Sequence, residues 1–405
     1  MSSHPAASTD TEPLSEHQHT NLIALDRGLH RHWQLGRNIV LGWSPTTRGI
    51  DLLVVPHYLT ATFLHQHPQI LNEDAPLVAP FAHPREESEA FIRSLLSGSR
   101  RLSAEKLADI ATLMQATPVN VRLPYPVEDR PAVSAQIDDM IRRYSISYET
   151  GRAVILFDIV GFSLFGPLEQ ITQLNSLSYS LNSAHNRLLQ MGIEVKFARS
   201  STGDGFYVWS RQGGMQANIN LYHFMHLTLA DNAMARLRAK ANTTPQLKTA
   251  FHIGDYYKIF QPEALHPTTY SYIVGDTTIE LNRIITAARP GQIVIGEFHT
   301  TLPDATQDAG APRPLDTIGF IDTLQPTLER FHGMALSGER IAAIKCYLTG
   351  DRTGPQSFNV RRHRVTDKHG VTRNVYNAKI NIHRESGDPV FLGLRESDLA
   401  TDHDH

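Results

Sequence analysis

Ala153-Val154-Ile155-Leu156-Phe157-Asp158-Ile159-Val160-Gly161-Phe162-Ser163 is a run of β-branched and aromatic residues that ends in an acid, a glycine turn and a hydroxyl. Such a run predicts a buried strand that delivers a carboxylate at its end. A second acid stands in Ser201-Thr202-Gly203-Asp204-Gly205-Phe206-Tyr207-Val208. There Gly-Asp-Gly lies between two strand-like runs, Glu194–Ser200 and Phe206–Trp209, which predicts a hairpin with Asp204 at its tip. If the two strands are neighbours, the carboxylates of Asp158 and Asp204 converge. An acid at the end of an apolar strand needs compensation for its charge. A divalent cation such as Mg²⁺ or Mn²⁺ provides it, held by a few carboxylates and by substrate phosphates.

The chain has 405 residues, enough for two or three domains, and 41% of them are hydrophobic, enough for a sizeable core. A formal net charge of −3 gives no argument for a nucleic-acid or membrane partner. The 21 histidines are scattered without His-Glu-x-x-His spacing, and they read as solvated or core residues. The single cysteine, Cys346, excludes a disulfide framework and fits a reducing interior. The polar start resembles no signal peptide, and no apolar run is long enough to span a bilayer. A cytoplasmic protein is expected.

Outward from the opening stretch, the periodicity predicts an α+β chain. Residues 1–20 are rich in Ser, Thr, Pro, Glu and His and read as a disordered tail. Residues 21–125 read as an appendage of mixed type and unknown role. It would have strands at Asn38–Gly42 and Ile50–Val55 and helices at Arg85–Leu96 and Ser103–Gln115, the second capped by Ser103. Residues 126–146 read as a proline-punctuated linker and a short amphipathic helix, Ala132–Tyr144. From 147 to 350 the predicted order is strand, helix (Pro167–Gln190), hairpin, helix (Ala217–Ala239) and strand (Leu247–Ile253). Then come a strand at Tyr270–Val274, a helix at Asp276–Ala288, and strands at Gln292–Ile295 and Ile341–Leu348. This is the ferredoxin-like pattern, a sheet with helices on one face. Residues 351–405 read as a hairpin, Phe358–Val365 with Val371–Ile382, and an acidic, His-rich, frayed tail from Glu385.

Paired acids alone are weak evidence, because Asp is common in turns. Their order and strand context add more. Phe157-Asp158-Ile159-Val160-Gly161-Phe162-Ser163 resembles the first metal motif of class III nucleotidyl cyclases, and Thr202-Gly203-Asp204-Gly205 resembles their second. Tyr272-Ile273-Val274-Gly275-Asp276-Thr277-Thr278-Ile279-Glu280-Leu281-Asn282-Arg283, followed by Pro290-Gly291, is similar to their third block. The resemblance covers roughly Ser147 to Leu348. It implies that Asp158 and Asp204, with the Ile159 carbonyl, bind two divalent ions (Mn²⁺ or Mg²⁺). One would activate the ribose 3′-hydroxyl, and the other would hold the triphosphate and the leaving pyrophosphate. It also places Arg283 as the transition-state arginine, a role that suits a guanidinium fork. In the family the acids and the arginine come from different chains, which implies a homodimer with sites at the subunit interface.

The chain departs from the family at the base-reading positions. Adenylate cyclases carry a lysine before the second motif and an aspartate before the third; here Ser200 and Tyr272 stand there. The glutamate and cysteine of guanylate cyclases are also absent. The helical asparagine one turn before the arginine is replaced by Ile279. This combination resembles the Pycsar cyclases, bacterial anti-phage enzymes that form cyclic UMP or cyclic CMP. That resemblance makes Tyr148 a candidate for narrowing the base pocket and Arg152 a candidate phosphate contact, although Tyr148 and Tyr144 read equally well as core aromatics. Lys368 is a solvated turn lysine or a contact to the triphosphate. Three readings stay open: a pyrimidine cyclase, an adenylate cyclase with altered base contacts, and a catalytically silent nucleotide-binding module.

Overall fold

The computed structural model describes residues 14–33, 36, 39–59, 84–262, 269–303, 312–336, 338–353, 358–367 and 370–399. The chain divides into two compact units. The first is Met1–Glu149 with Tyr257–Ile273, and the second is Thr150–Tyr256 with Val274–His405.

The first unit begins with helix α1 (Glu16–His32), whose N-terminus is capped by the Ser15 hydroxyl. Glu16–Thr20 therefore belong to a packed helix rather than to a disordered tail. The polar composition concealed this, because α1 buries only a narrow stripe that includes Leu25 and Leu29. Strands β1 (Ile39–Thr46) and β2 (Gly49–Val55) follow, then helices α2 (Pro84–Leu96) and α3 (Ala104–Leu113), strand β3 (Val119–Arg122) and helix α4 (Pro131–Arg143). The three strands form one antiparallel sheet. Val133, Ile137 and Ile141 of α4 pack in the same core as Trp43 and Leu52, so the helix expected in a linker is part of this unit.

The second unit is built on a large mixed sheet. Strand β4 (Ile146–Ile159) crosses from the first unit into the second between Glu149 and Thr150. Helix α5 (Pro167–Gln190) leads to β5 (Phe197–Ser201) and β6 (Gly205–Ser210). Helix α6 (Met215–Arg238) then leads to β7 (Leu247–Pro262). The sheet runs β7-β4-β6-β5 across these four strands. In order of synthesis that is fourth, first, third, second, the ferredoxin-like arrangement of an α+β fold. Ala153, Ile155, Phe157 and Ile159 of β4 share a core with Leu177, Leu181 and Leu188 of α5 and Tyr222, Phe224 and Met225 of α6. With the side-chain period of two, Val154, Leu156 and Asp158 point to the opposite face.

Strand β8 (Thr269–Val274) pairs with β7, and helix α7 (Asp276–Ala287) follows. Strand β9 (Ile293–Gly296) runs parallel to β7. A hairpin of β10 (His299–Pro303) and β11 (Pro312–Asp316) precedes the short helices α8 (Thr317–Asp322) and α9 (Gln325–Leu328). Strands β12 (Ala335–Leu336) and β13 (Glu339–Leu348) come next, then β14 (Gly350–Arg352) with β15 (Phe358–Val360). The last elements are β16 (Arg362–Thr366), β17 (Thr372–Arg384), β18 (Val390–Leu392) and α10 (Glu396–Leu399).

The C-terminal hairpin is where the structure departs most from expectation. Strand β17 pairs with β16 as predicted, but it also lies between β13 and β9 inside the main sheet. Tyr376, Ala378, Ile380 and Ile382 complete the core over the sheet. Strands β16, β17 and β18 are therefore an integral part of the sheet, while β14 and β15 pair in a small sheet of their own. Nor are Glu385–Leu399 frayed, since β18 pairs with β17 and the Asn377 amide donates to Leu394 O at 2.9 Å; the rest of the expected tail lies outside the described residues.

Candidate active site

The end of β4 and the β5–β6 hairpin meet through backbone bonds. Asp158 pairs with Gly205 in register, and Ile159 N–H donates to Asp204 O at 2.9 Å. The two glycines beside Asp204 have different tasks. Gly203 holds φ +98, a backbone conformation that L side chains rarely adopt. Gly205 lies so close to β4 that a Cβ there would sit 1.9 Å from Phe157 O. The tip is tied further by Thr202 Oγ1 donating to Asp204 Oδ1 at 3.0 Å and by Gly203 N–H donating to Ser201 Oγ at 3.0 Å.

Three predicted site residues, Asp158, Ile159 and Asp204, are thus brought together. Burial pushes the Asp158 carboxyl above its ordinary range; Asp204 adds to the rise and Lys248 opposes it. Lys248 escaped the sequence reading. It sits on β7, whose start is held to β4 by Val160 N–H donating to Gln246 O at 2.9 Å. Its signal was present: a lysine inside the apolar run Leu247–Ile253, out of phase with the core residues Leu247, Phe251 and Ile253. Ser200 also belongs to this face. It pairs with Tyr207, which pairs with Leu156, and directly opposed side chains in antiparallel strands share a face.

Of the other predicted residues, Arg152 lies farther along β4, and Tyr148 and Tyr272 belong to the first unit. Arg152 is six residues before Asp158 on β4, about 20 Å along the strand, beyond reach of a phosphate held at Asp158 of the same chain. Its guanidinium lies against Gly213, where an added Cβ would be 2.6 Å from Nη1. Tyr148 falls in the first unit. Its ring centroid lies 4.9 Å from that of Tyr257, and the Arg93 guanidinium stands 5.1 Å above it. These are aromatic and cation–π contacts within the first unit. Tyr272 also belongs to the first unit and is 41% exposed. Lys368 lies outside the described residues.

Arg283 projects from α7. That helix buries Thr277, Leu281, Ile284 and Ile285. Its first turn is anchored by Tyr207 Oη, which donates to Thr278 O at 3.1 Å. Farther along, Arg283 Nε lies 2.9 Å from Asp367 Oδ2, at the turn between β16 and β17. Among the described residues no group of three or more His, Cys, Asp or Glu could hold a metal ion. The hard oxygen donors present, the Asp158 and Asp204 carboxylates, fit Mg²⁺ or Mn²⁺ when phosphate oxygens complete the shell. A raised, partly buried carboxyl beside a second acid also fits a site made for a cation.

No protein-family model matches the chain, and no curated protein matches it. Solved structures do match. The chain is similar to the adenylyl cyclase CyaB from P. aeruginosa, with 13% identity and a TM-score of 0.34, over 57% of this chain and 95% of that one. It is similar to the guanylate cyclase domain of RhGC from Catenaria anguillulae, solved in complex with GTP. There the identity is 10% and the TM-score 0.34, over 59% of this chain and 98% of that one. It is also similar to a bacterial light-regulated adenylyl cyclase, with 12% identity and a TM-score of 0.27, over 42% of this chain and 92% of that one. No helix among the described residues is long and apolar enough to cross a membrane.

Proposed function

We propose that the chain cyclises a nucleoside triphosphate to its 3′,5′-cyclic monophosphate and pyrophosphate, with a pyrimidine triphosphate as substrate. One observation carries the reaction type: Asp158 and Asp204 are held side by side by the pairing of β4 with the hairpin. In the reaction the 3′-oxygen bonds to the α-phosphorus, the bond to the bridging oxygen breaks, and the hydroxyl proton is lost. Asp158 and Asp204, with the Ile159 carbonyl, would hold two divalent ions. When bound, these supply charge for the attacking oxygen and for the leaving pyrophosphate. Lys248, beside Asp158, adds a fixed positive charge for the phosphates. Arg283 offers a guanidinium to the developing charge, from the partner chain of a homodimer as the resemblance implies.

The base preference rests on the residues that are missing. Neither the purine-reading lysine nor the aspartate is present, and Ser200, on the face of Asp158, is small and can donate or accept. A site that hydrogen-bonds its base rejects the wrong one, because buried polar groups are stranded. UTP, then CTP, is therefore the proposed substrate, and a messenger in anti-phage defence is the proposed role of the product. The test is to incubate the purified protein with each NTP and Mn²⁺ and to resolve the products. Cyclic UMP or cyclic CMP should form faster than either purine product by about 10²–10³-fold, roughly 3–4 kcal/mol. Faster cyclic AMP formation would replace this reading with an adenylate cyclase of altered base contacts. Binding without turnover of any NTP would leave a silent nucleotide-binding module.

A further inference from the structure

The carboxylate of Asp367 is engaged on both sides. Its Oδ1 accepts the N–H of Val371 at 3.0 Å, and its Oδ2 lies 2.9 Å from Arg283 Nε. The same turn is closed by Asp367 N–H donating to Val371 O at 3.1 Å and by Gly370 N–H donating to Asp367 O at 2.9 Å. The carboxylate therefore cannot swing away from Arg283 without opening the turn between β16 and β17. The Asp367 side chain is only 8% exposed, and a shielded charge pair is weakly screened by salt.

A second pair repeats the contact with reversed polarity. Glu280 Oε2 lies 2.6 Å from Arg373 Nε. Glu280 is one helical turn before Arg283 on α7, and Arg373 is on β17 just after the turn. An acid of the helix thus faces a base of the strand, and a base of the helix faces an acid of the turn. Sliding α7 by one turn would set Glu280 against Asp367, like charge on like charge. The two pairs fix the helix in one register.

We propose that Asp367 is the positioning residue for Arg283: its carboxylate charge holds the guanidinium on the Nε side as an ion pair, so that the terminal nitrogens are presented to phosphoryl oxygens. The Glu280–Arg373 pair keeps α7 from slipping. This rests on the cyclase reading given above. A long, many-rotamer side chain gains most from such a hold, since misplacement by about 1 Å can cost about 10²-fold in rate.

Asp367→Asn tests it, because the amide oxygen can still accept from Val371 while the charge facing Arg283 is lost. The variant should keep its KM for the metal–NTP complex within about twofold and lose about 10–100-fold in kcat, the usual scale for an orienting partner. Adding Asp367→Asn to Arg283→Ala should cost nothing further. An unchanged kcat, or losses that multiply fully in the double variant, would overturn the proposal. A readout independent of turnover is the Arg283 Nε–H resonance, assigned by its loss in Arg283→Lys. It should shift in Asp367→Asn, and an unshifted resonance also overturns the pairing. If the wild type cyclises no NTP, the cyclase reading is what fails, and the resonance alone then decides whether Asp367 holds Arg283.

Discussion

Asp158 carries the tension of the site in a single side chain. It ends a strand whose preceding residues, Val154 to Phe157, are all buried, yet it is ionisable and has Asp204 beside it. Its folded pKa is raised, so the folded state binds the proton more readily than the unfolded chain does. In the metal-free protein this group therefore costs stability above its folded pKa, and the cost disappears as pH falls through the carboxylate range. Asp158→Asn should raise the Tm of the metal-free protein at neutral pH, with the gap closing under acid. Saturating Mn²⁺ should raise the Tm of the wild type more than that of the variant. Thermal melts across pH, with and without Mn²⁺, check both; a variant less stable than wild type at neutral pH contradicts the account of a carboxylate destabilised by burial and by Asp204.

At the scale of elements, α6 contains a pair of buried histidines that the reading of scattered His residues already allowed as core. His226 has no partner for either ring nitrogen among the described residues, and burial pushes it down to about 3. His223 contacts Thr327 Oγ1 at 2.6 Å; burial lowers it well below its ordinary value, with His226 and Arg330 adding to the fall. Both rings pack on Phe331. The sign is opposite to that of a paired histidine. The unfolded chain takes up the proton first, so stability falls as pH drops from about 6.5 toward the folded value. His226 should cost about 2 kcal/mol between pH 7.5 and pH 5, and His223 adds to the loss in the same direction. His226→Leu should recover about that much of the acid loss in denaturant titrations, and an unchanged pH slope would rule this out.

Helices with long apolar periods, such as Pro167–Gln190, were legible to the residue, and so was the strand–acid–glycine grammar of Asp158 and Asp204. What escaped depends on non-local pairing. Nothing in Leu247–Ile253 states that Lys248 stands beside an acid ninety residues earlier. Tyr148 is a strand aromatic that suits a base pocket or a core equally well, and its contact with Tyr257 is made far along the chain. The place of β17 was hidden for the same reason: a hairpin is a local signal, but its second partner strand is not.

At the scale of the whole molecule, the proposed assembly makes a prediction that no single chain can. If Asp158 and Arg283 serve one site from different protomers, Asp158→Ala and Arg283→Ala, each strongly impaired but measurable in single-turnover assays, should complement on mixing. A statistical mixture would place both intact residues at one site in half of the dimers, each with one working site of two, so about a quarter of wild-type activity should return. No recovery after subunit exchange has been verified by mass or fluorescence would show that each site lies within one protomer.

The insertion of β17 between β13 and β9 bears on how the protein is made. A ribosome delivers β4 to β7, with both covering helices, long before it delivers Thr372–Arg384. The four-strand ferredoxin-like core can therefore close while synthesis continues. Strands β9 and β13 emerge next, and each must wait with one edge unsatisfied until the strand that separates them arrives. Open edges of this kind are what chaperones bind and what neighbouring nascent chains pair with. The nascent protein thus passes through an interval in which its sheet has a gap in the middle, and the speed of translation between Glu339–Leu348 and Thr372–Arg384 sets how long that gap stays open.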